Sequence, residues 1–280
     1  MTFHTAHDQS QAPVLDELKQ RHRSLWASGD YPAVVREVVA PLGPVLVHAS
    51  RIRQGEQVLD VAAGSGNASI PAAARGAVVV ASDLTPELLE AGRDVALRRG
   101  VDLVWDQADA EALPYDSGRF DVTISCLGVM FAPHHDAAAD ELVRVTRKDG
   151  RIGLLSWTPQ GFIGQMFAIM KPFMPAPPPG AQPPPLWGDP DHVTGLLGDR
   201  VSGISWSRQT LRVDRFKEPQ QFRDFFKAAY GPTIAAYRNL ADQPERAADL
   251  DVALVDLARE HMDRHGVMQW EYLLLTARRA

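Results

Sequence analysis

The 280-residue chain holds a single cysteine, Cys126, so no disulfide can form within it. No apolar run approaches the roughly 20 residues a membrane-spanning helix needs. The polar stretch 1–12 has neither the basic start nor the apolar middle of a signal peptide. These absences suggest a soluble protein of the cytoplasm, without a membrane span. Lysine is scarce: it supplies five of the 29 basic residues. With abundant alanine, proline and valine, that skew suggests a GC-rich coding sequence and carries no functional message. The formal charge is −6 and no basic cluster is interleaved with aromatics, which argues against a nucleic-acid partner. There is no internal repeat and no Gly-x-Ser-x-Gly elbow of a hydrolase. No His, Cys, Asp and Glu cluster has metal-ligand spacing; His261 and His265 lie four apart but lack a third ligand.

Hydrophobic residues make up 45% of the chain, enough for a buried core in one large domain or a core with a cap. The first 44 residues read as helical, with apolar positions at Val14, Leu15, Leu18 and Leu25 and then at Val34, Val35, Val38 and Val39. Gly29-Asp30 separates the two stretches, and Pro32 suits the first turn of the second. From residue 57 onward short strands alternate with helices. Strands are predicted at 57–61, 77–83, 102–106, 120–126 and 151–157, with helices at 68–75, 86–99 and 137–145. This alternation predicts a parallel sheet with helices on both faces. Nine of the 21 prolines then fall within 172–190, which reads as an irregular loop, too apolar at Phe173, Met174, Leu186 and Trp187 to lie in solvent. A strand-like run at 204–213, a helical block at 219–265 and a last strand at 269–277 would complete the sheet with an antiparallel edge.

The densest signal is Val58-Leu59-Asp60-Val61-Ala62-Ala63-Gly64-Ser65-Gly66-Asn67: a buried strand, a turn with two glycines, then a helix. Glycine permits the tight turn and close ligand approach, and the helix start offers free N–H groups to an anion. Ser69 stands where the nucleotide-binding form of this turn has its third glycine. Asp60, at the strand end, would repel a diphosphate and attract an ammonium. The second strand ends at Asp83, where doubly wound folds place an acid that accepts from ribose hydroxyls; the plainer reading is an Asp at the start of the helix that follows. The third strand ends in Gln107-Ala108-Asp109-Ala110, where the Asp109 carboxylate could accept from an adenine amino group and the Ala110 N–H could donate to the ring. Glu111 and Asp116 read as turn caps.

The segment from about 57 to 157 resembles the class I S-adenosylmethionine-dependent methyltransferase core, in the group of the ubiquinone/menaquinone-biosynthesis enzymes. The carrying motifs are VLDVAAGSGNAS, VVVASDLTPELLEAGR, DAEALPYDSGRFDV, and ISCLGVMFAPH followed by ELVRVTRKDGRIGLLSW. The tail resembles a bacterial branch of varied substrates, including specialised metabolites. The resemblance implies a Rossmann-like, mostly parallel seven-stranded sheet with an antiparallel C-terminal edge strand and a helical cap over the crevice. The chain as a whole reads as four parts: a helical cap segment over 1–44, a donor-binding core over 45–160, a proline-rich cap loop over 161–200, and C-terminal strands with a helical insertion over 201–280. S-adenosylmethionine is the cofactor the resemblance implies, bearing an ammonium, a carboxylate and a sulfonium but no phosphate. Asp60, Ala62, Gly64 and Gly66 would lie by its methionine part, Asp83 by the ribose, and Leu84, Asp109 and Ala110 by the adenine. Ser125, Met130 and Tyr31 would line the same pocket. Two departures stand out: Lys148-Asp149-Gly150 replaces the usual Pro-Gly-Gly, and His134-His135 stands where a carboxylate is common.

Methyl transfer from a sulfonium is an in-line displacement with a neutral leaving group. The enzyme's work is to hold nucleophile and methyl carbon about 3–3.5 Å apart and to exclude water. Aromatic and apolar residues suit that task, and Trp26, Phe131, Trp157, Phe162, Met166 and Tyr230 are the candidates for the acceptor side; the same residue types at helical spacing also make ordinary core. His134 and His135 are candidate bases, with a plain loop pair or a helix cap as the alternative. The expectation is methyl transfer to a small, partly apolar acceptor, with a repurposed fold that catalyses a rearrangement or cyclisation or binds the donor without methyl transfer, or a nicotinamide oxidoreductase, as rivals. The apolar N-terminal segment could pack across a second copy, giving a homodimer.

Overall fold

Within residues 17–280, which the computed structural model describes, the apolar runs assemble into a seven-stranded sheet. Val14, Leu15 and the polar stretch 1–12 lie outside the described residues. The strands are β1 (Gln57–Val61), β2 (Val78–Asp83), β3 (Val104–Gln107), β4 (Phe120–Cys126), β5 (Thr146–Trp157), β6 (Val201–Val213) and β7 (Met268–Arg279). Their order is β3-β2-β1-β4-β5-β7-β6. The first five run parallel, and β7 runs antiparallel between β5 and β6. The central strands are apolar on both faces because helices cover both: Val58, Leu59, Val79, Val80, Val122 and Ile124 are all buried. Strand order reverses between β1 and β4, and open sheets of this kind bind ligands at the carboxyl ends beside that reversal.

The helices are α1 (Glu17–Ala27), α2 (Tyr31–Val34), α3 (Leu42–Ala49), α4 (Ser69–Ala74), α5 (Pro86–Arg98), α6 (His135–Val145), α7 (Phe162–Met170), α8 (Pro190–Leu197), α9 (Pro219–Ala229), α10 (Gly231–Asn239) and α11 (Pro244–His261). Several begin at proline, whose missing N–H is no loss in a first turn. In α8 the Asp189 carboxylate also accepts from the Asp191 and His192 amides. Val35–Val39 continues α2 as a π turn.

Three departures from the sequence expectation bear on the architecture. Residue 44 ends no unit: it lies inside α3, because Pro44 is tolerated in a first helical turn. The stretch 161–200 is not loop throughout, since α7 and α8 flank the short turns of its proline-rich middle. Strand β5 begins at Thr146 rather than 151 because Asp149, at φ 59°, takes the left-handed conformation that glycine supplies elsewhere.

The main core lies between the sheet and α3, α6, α7, α9 and α11. A smaller cluster joins Ile70, Ala81, Leu89 and Ala96 to Trp105. The Trp105 ring sits so close to two glycines that a Cβ at Gly66 would come within 2.6 Å of it, and one at Gly92 within 2.4 Å. Above the carboxyl ends, α1 packs against α5 and α10, and α2 against α5 and α9, forming a roof. Among the described residues no single helix is long and apolar enough to cross a membrane.

Candidate functional site

A cleft of about 800 Å³, counted to its open mouth, lies over the carboxyl ends of β1, β2, β3 and β4. Each strand exit contributes a wall: Ala62, Ala63, Gly64 and Asn67 after β1; Asp83, Leu84, Thr85 and Leu88 from β2; Ala108, Asp109 and Ala110 after β3; Cys126, Leu127, Gly128, Phe131, Ala132 and Pro133 after β4. Lys19, His22, Trp26, Tyr31 and Val35 descend from the roof.

The exit of β1 is a strained turn. Ala62 sits at φ 53° and Gly64 at φ 56°, and across the cleft Leu127 sits at φ 64°. For the two residues with a side chain this costs on the order of 1–2 kcal/mol each, strain of the kind that gathers where backbone is shaped for a ligand. A Cβ added at Gly64 would meet only the Tyr31 ring, at 3.6 Å, so this glycine faces open cleft. Its amide donates to Asp83 Oδ2 at 2.7 Å, while Asp83 Oδ1 accepts from the Thr85 amide at 2.8 Å. Asp83 therefore fixes both the glycine turn and the start of α5, and its carboxylate lies on the cleft wall. Burial pushes its carboxyl above the usual range, opposed by the backbone hydrogen bonds from Thr85 and Gly64.

Asp109 Oδ1, after β3, accepts from Lys19 Nζ at 2.8 Å and from the Glu111 amide at 3.0 Å. Glu111 accepts from Lys19 at 2.7 Å and from the His134 amide at 2.8 Å, and its Oε2 lies 2.9 Å from His134 Nδ1. Trp26 is the hub of an aromatic roof over the other end. Its ring stands edge-on to Phe131 at 4.6 Å, Tyr31 at 5.3 Å and Tyr230 at 5.8 Å. Burial raises the Tyr31 hydroxyl and the Cys126 thiol, so both stay protonated at neutral pH.

The structure brings Ala62, Gly64, Asp83, Leu84, Asp109, Ala110, Tyr31, Trp26 and Phe131 together on the cleft wall. Other candidates are placed elsewhere. Asp60 is 1% exposed beneath the turn; its Oδ2 accepts from Ser69 Oγ at 2.6 Å, its Oδ1 has no partner, and burial pushes its carboxyl up to about 7. It braces the turn from below rather than facing a ligand. Gly66 faces Trp105. Ser125 is buried and ties two strand exits together, donating to the Val61 carbonyl at 2.7 Å and accepting from the Val129 amide at 2.9 Å. Met130 is core. Trp157, Phe162 and Met166 are buried too: Phe162 stacks on Trp270 at 5.0 Å, and Trp157 stands edge-on to the same indole. Tyr230 supports Trp26 from behind the cleft wall.

Neither candidate base lines the cleft. His135 is fully buried on α6, 3.0 Å from His192 Nε2 and against Trp187. Burial and then the His192 charge push it down to about 4, so it is neutral in the core. His134 occupies the position before α6, but its imidazole is tied to Glu111 and bonds no amide of the helix. Sequence reasoning missed Lys19, His22, Asn67 and Cys126. The first two share a helix face with Trp26 at positions i, i+3 and i+7, a signal hidden because α1 was read only for its apolar Leu18 and Leu25. Among the described residues, His22 is the one histidine on the cleft wall.

Known proteins match this arrangement. Residues 58–150 fit the family model described as a methyltransferase domain. A protein of Mycobacterium tuberculosis described only as uncharacterized is 52% identical over 279 residues, covering 100% of both chains. The ubiquinone/menaquinone biosynthesis C-methyltransferase UbiE of Pseudomonas putida is 35% identical over 118 residues, 40% of this chain and 46% of that one. The solved [4+2]-cyclase SpnF aligns with TM-score 0.54 and 18% identity over 86% of this chain and 80% of that one, a likeness of fold alone.

Proposed function

The chain belongs to the class I S-adenosylmethionine-dependent methyltransferase family, and from that premise we propose that its cleft holds S-adenosylmethionine and passes the methyl group to a small, partly apolar acceptor. The bound donor supplies an electrophilic methyl on a sulfonium, whose loss leaves a neutral thioether.

The observation that carries this reading is the Asp83–Gly64 pair. A buried carboxylate on the cleft wall, already oriented by two amides, suits a ribose diol, and beside it the open face of Gly64 leaves room for an amino-acid tail. A diphosphate finds little here. The turn carries no Lys or Arg, and Ser69, in place of a third glycine, is buried against Asp60. Leu84, Leu88 and Ala110 give an apolar slot for a purine, with Asp109 at its edge. Trp26, Tyr31 and Phe131 close the opposite end. Their ring faces attract a positive sulfonium and keep water from the reacting carbon. An acceptor that fits beside them is itself largely apolar. His22, on the roof face between Lys19 and Trp26, is the imidazole placed to take a proton from it.

The test is incubation with methyl-labelled donor and a panel of phenols, quinols, amines and thiols. Label on one acceptor class, lost in His22→Ala or Trp26→Ala, supports the reading. Donor binding with no label transferred to any class would overturn methyl transfer and leave a binding role.

A further inference from the structure

Lys19 is 7% exposed, an unusual position for a lysine, and its ammonium lies 2.8 Å from Asp109 and 2.7 Å from Glu111. A buried ammonium is retained only with such partners, and two half-buried carboxylates sharing it would repel without it. The trio joins three parts of the molecule: α1, the exit of β3, and, through the bonds from Glu111 to His134, the start of α6. Lys19 also shares its helix face with His22 and Trp26, all three on the cleft. The helix is thus pinned at both ends of the cleft, by ions at the β3 end and by the Trp26 contacts at the β1–β4 end. Both donors to Asp109 fall on Oδ1, so one oxygen is held while the other is available to a ligand.

We propose that Lys19 is a positioning residue for the donor's adenine: it orients Asp109 toward the purine amino group and makes seating of α1 and recognition of that group one event. This rests on the reading of the cleft as the donor site. A ligand enters by lifting α1, and the lysine re-forms its two contacts only when Asp109 is presented. A purine with an amino group at the slot edge completes the set; one with a carbonyl there puts an oxygen against the Asp109 carboxylate.

The experiment uses the full chain and two probes, S-adenosylhomocysteine and its deaminated analogue S-inosylhomocysteine, titrated calorimetrically into wild type, Lys19→Met and Lys19→Arg. Tryptic cleavage after Arg21 and Arg23 is followed with and without each probe. Wild type should prefer the adenine compound by at least about tenfold, the scale of one good polar contact, and that compound alone should protect α1. Lys19→Met should lose most of the preference and the protection, with affinity for the inosine compound within about threefold of wild type, and Lys19→Arg should recover part of both. Equal weakening of both probes, or no change in preference, in a variant that melts as wild type does would overturn the assignment. Should Lys19→Met not fold, Asp109→Asn must show the same loss of discrimination; unchanged discrimination there also overturns it. Wild type that binds neither probe refutes the donor site itself, a result separable from the failure of Lys19 alone.

Discussion

Gly128 makes the closest approach across the cleft floor. Its backbone lies at φ −88° and ψ −54°, a conformation any residue adopts, so alanine there carries no dihedral penalty. The added methyl would lie 1.9 Å from the Ala62 carbonyl oxygen and 2.7 Å from the Ala62 Cβ. Ordinary contacts begin near 3.4 Å, so the exits of β1 and β4 must part by about 1.5 Å, which Ser125 resists by bonding both. Overpacking of this kind costs on the order of 1–3 kcal/mol. At roughly 2–4 °C for each kcal/mol in a chain of this size, Gly128→Ala should melt about 2–12 °C below wild type. Because Ala62 opens the glycine turn, donor affinity should fall at least about tenfold, the effect of shifting a binding wall by an ångström. Gly195→Ala is the control. It lies inside α8 with nothing within 4 Å of the added methyl, and should raise stability by up to about 1 kcal/mol. Differential scanning fluorimetry with and without S-adenosylhomocysteine reads both. A Gly128→Ala protein melting with wild type and binding the ligand equally well would refute the packing argument.

Three further outcomes follow from single contacts. Asp60 holds its proton to a higher pH folded than unfolded, so its stabilising contribution is full below about 3.8 and lost as pH rises through about 7. At about 1.4 kcal/mol per pH unit the swing is at most about 4 kcal/mol. Wild-type stability minus that of Asp60→Asn in urea unfolding should therefore fall from pH 4 toward 8, and parallel pH profiles would contradict it. Ser125→Ala strands the Val61 carbonyl and the Val129 amide in the core and should cost about 1–3 kcal/mol by chemical denaturation; a loss below 0.5 kcal/mol would mean water replaces the hydroxyl. Trp26→Ala removes the hub of the roof. It should slow label transfer at least about tenfold, with a smaller change in S-adenosylhomocysteine affinity; equal losses in both would place the indole on the donor instead.

What the sequence disclosed and what it hid divide along physical lines. Period and punctuation place β1 and β4 to the residue, and the antiparallel end of the sheet follows from two late strands around a helical block. The place of Asp83, Gly64 and Asp109 on the cleft was legible because Asp83 ends β2 and the other two follow the ends of β1 and β3, where the carboxyl edge of a parallel sheet is the ligand's edge. Asp60 also ends a strand and was misplaced, since one residue along a pleat turns a side chain to the opposite face, and here that face lies beneath α4. Phe162, Met166 and Trp157 were misplaced because an aromatic at helical spacing looks the same whether it faces a ligand or Trp270. Lys19 and His22 were hidden for the converse reason: a polar stripe on a terminal helix reads as a solvated face until the partner carboxylates, 90 residues away, are in view.

Calorimetric titration of S-adenosylhomocysteine, with NAD in parallel, into wild type and Asp83→Ala tests the central claim most directly. The account predicts one saturable site for the sulfur nucleoside, weakened at least about tenfold in the variant, and no heat from NAD. Saturable binding of NAD with none of the nucleoside, or an Asp83→Ala protein that binds the nucleoside as tightly as wild type, would contradict it.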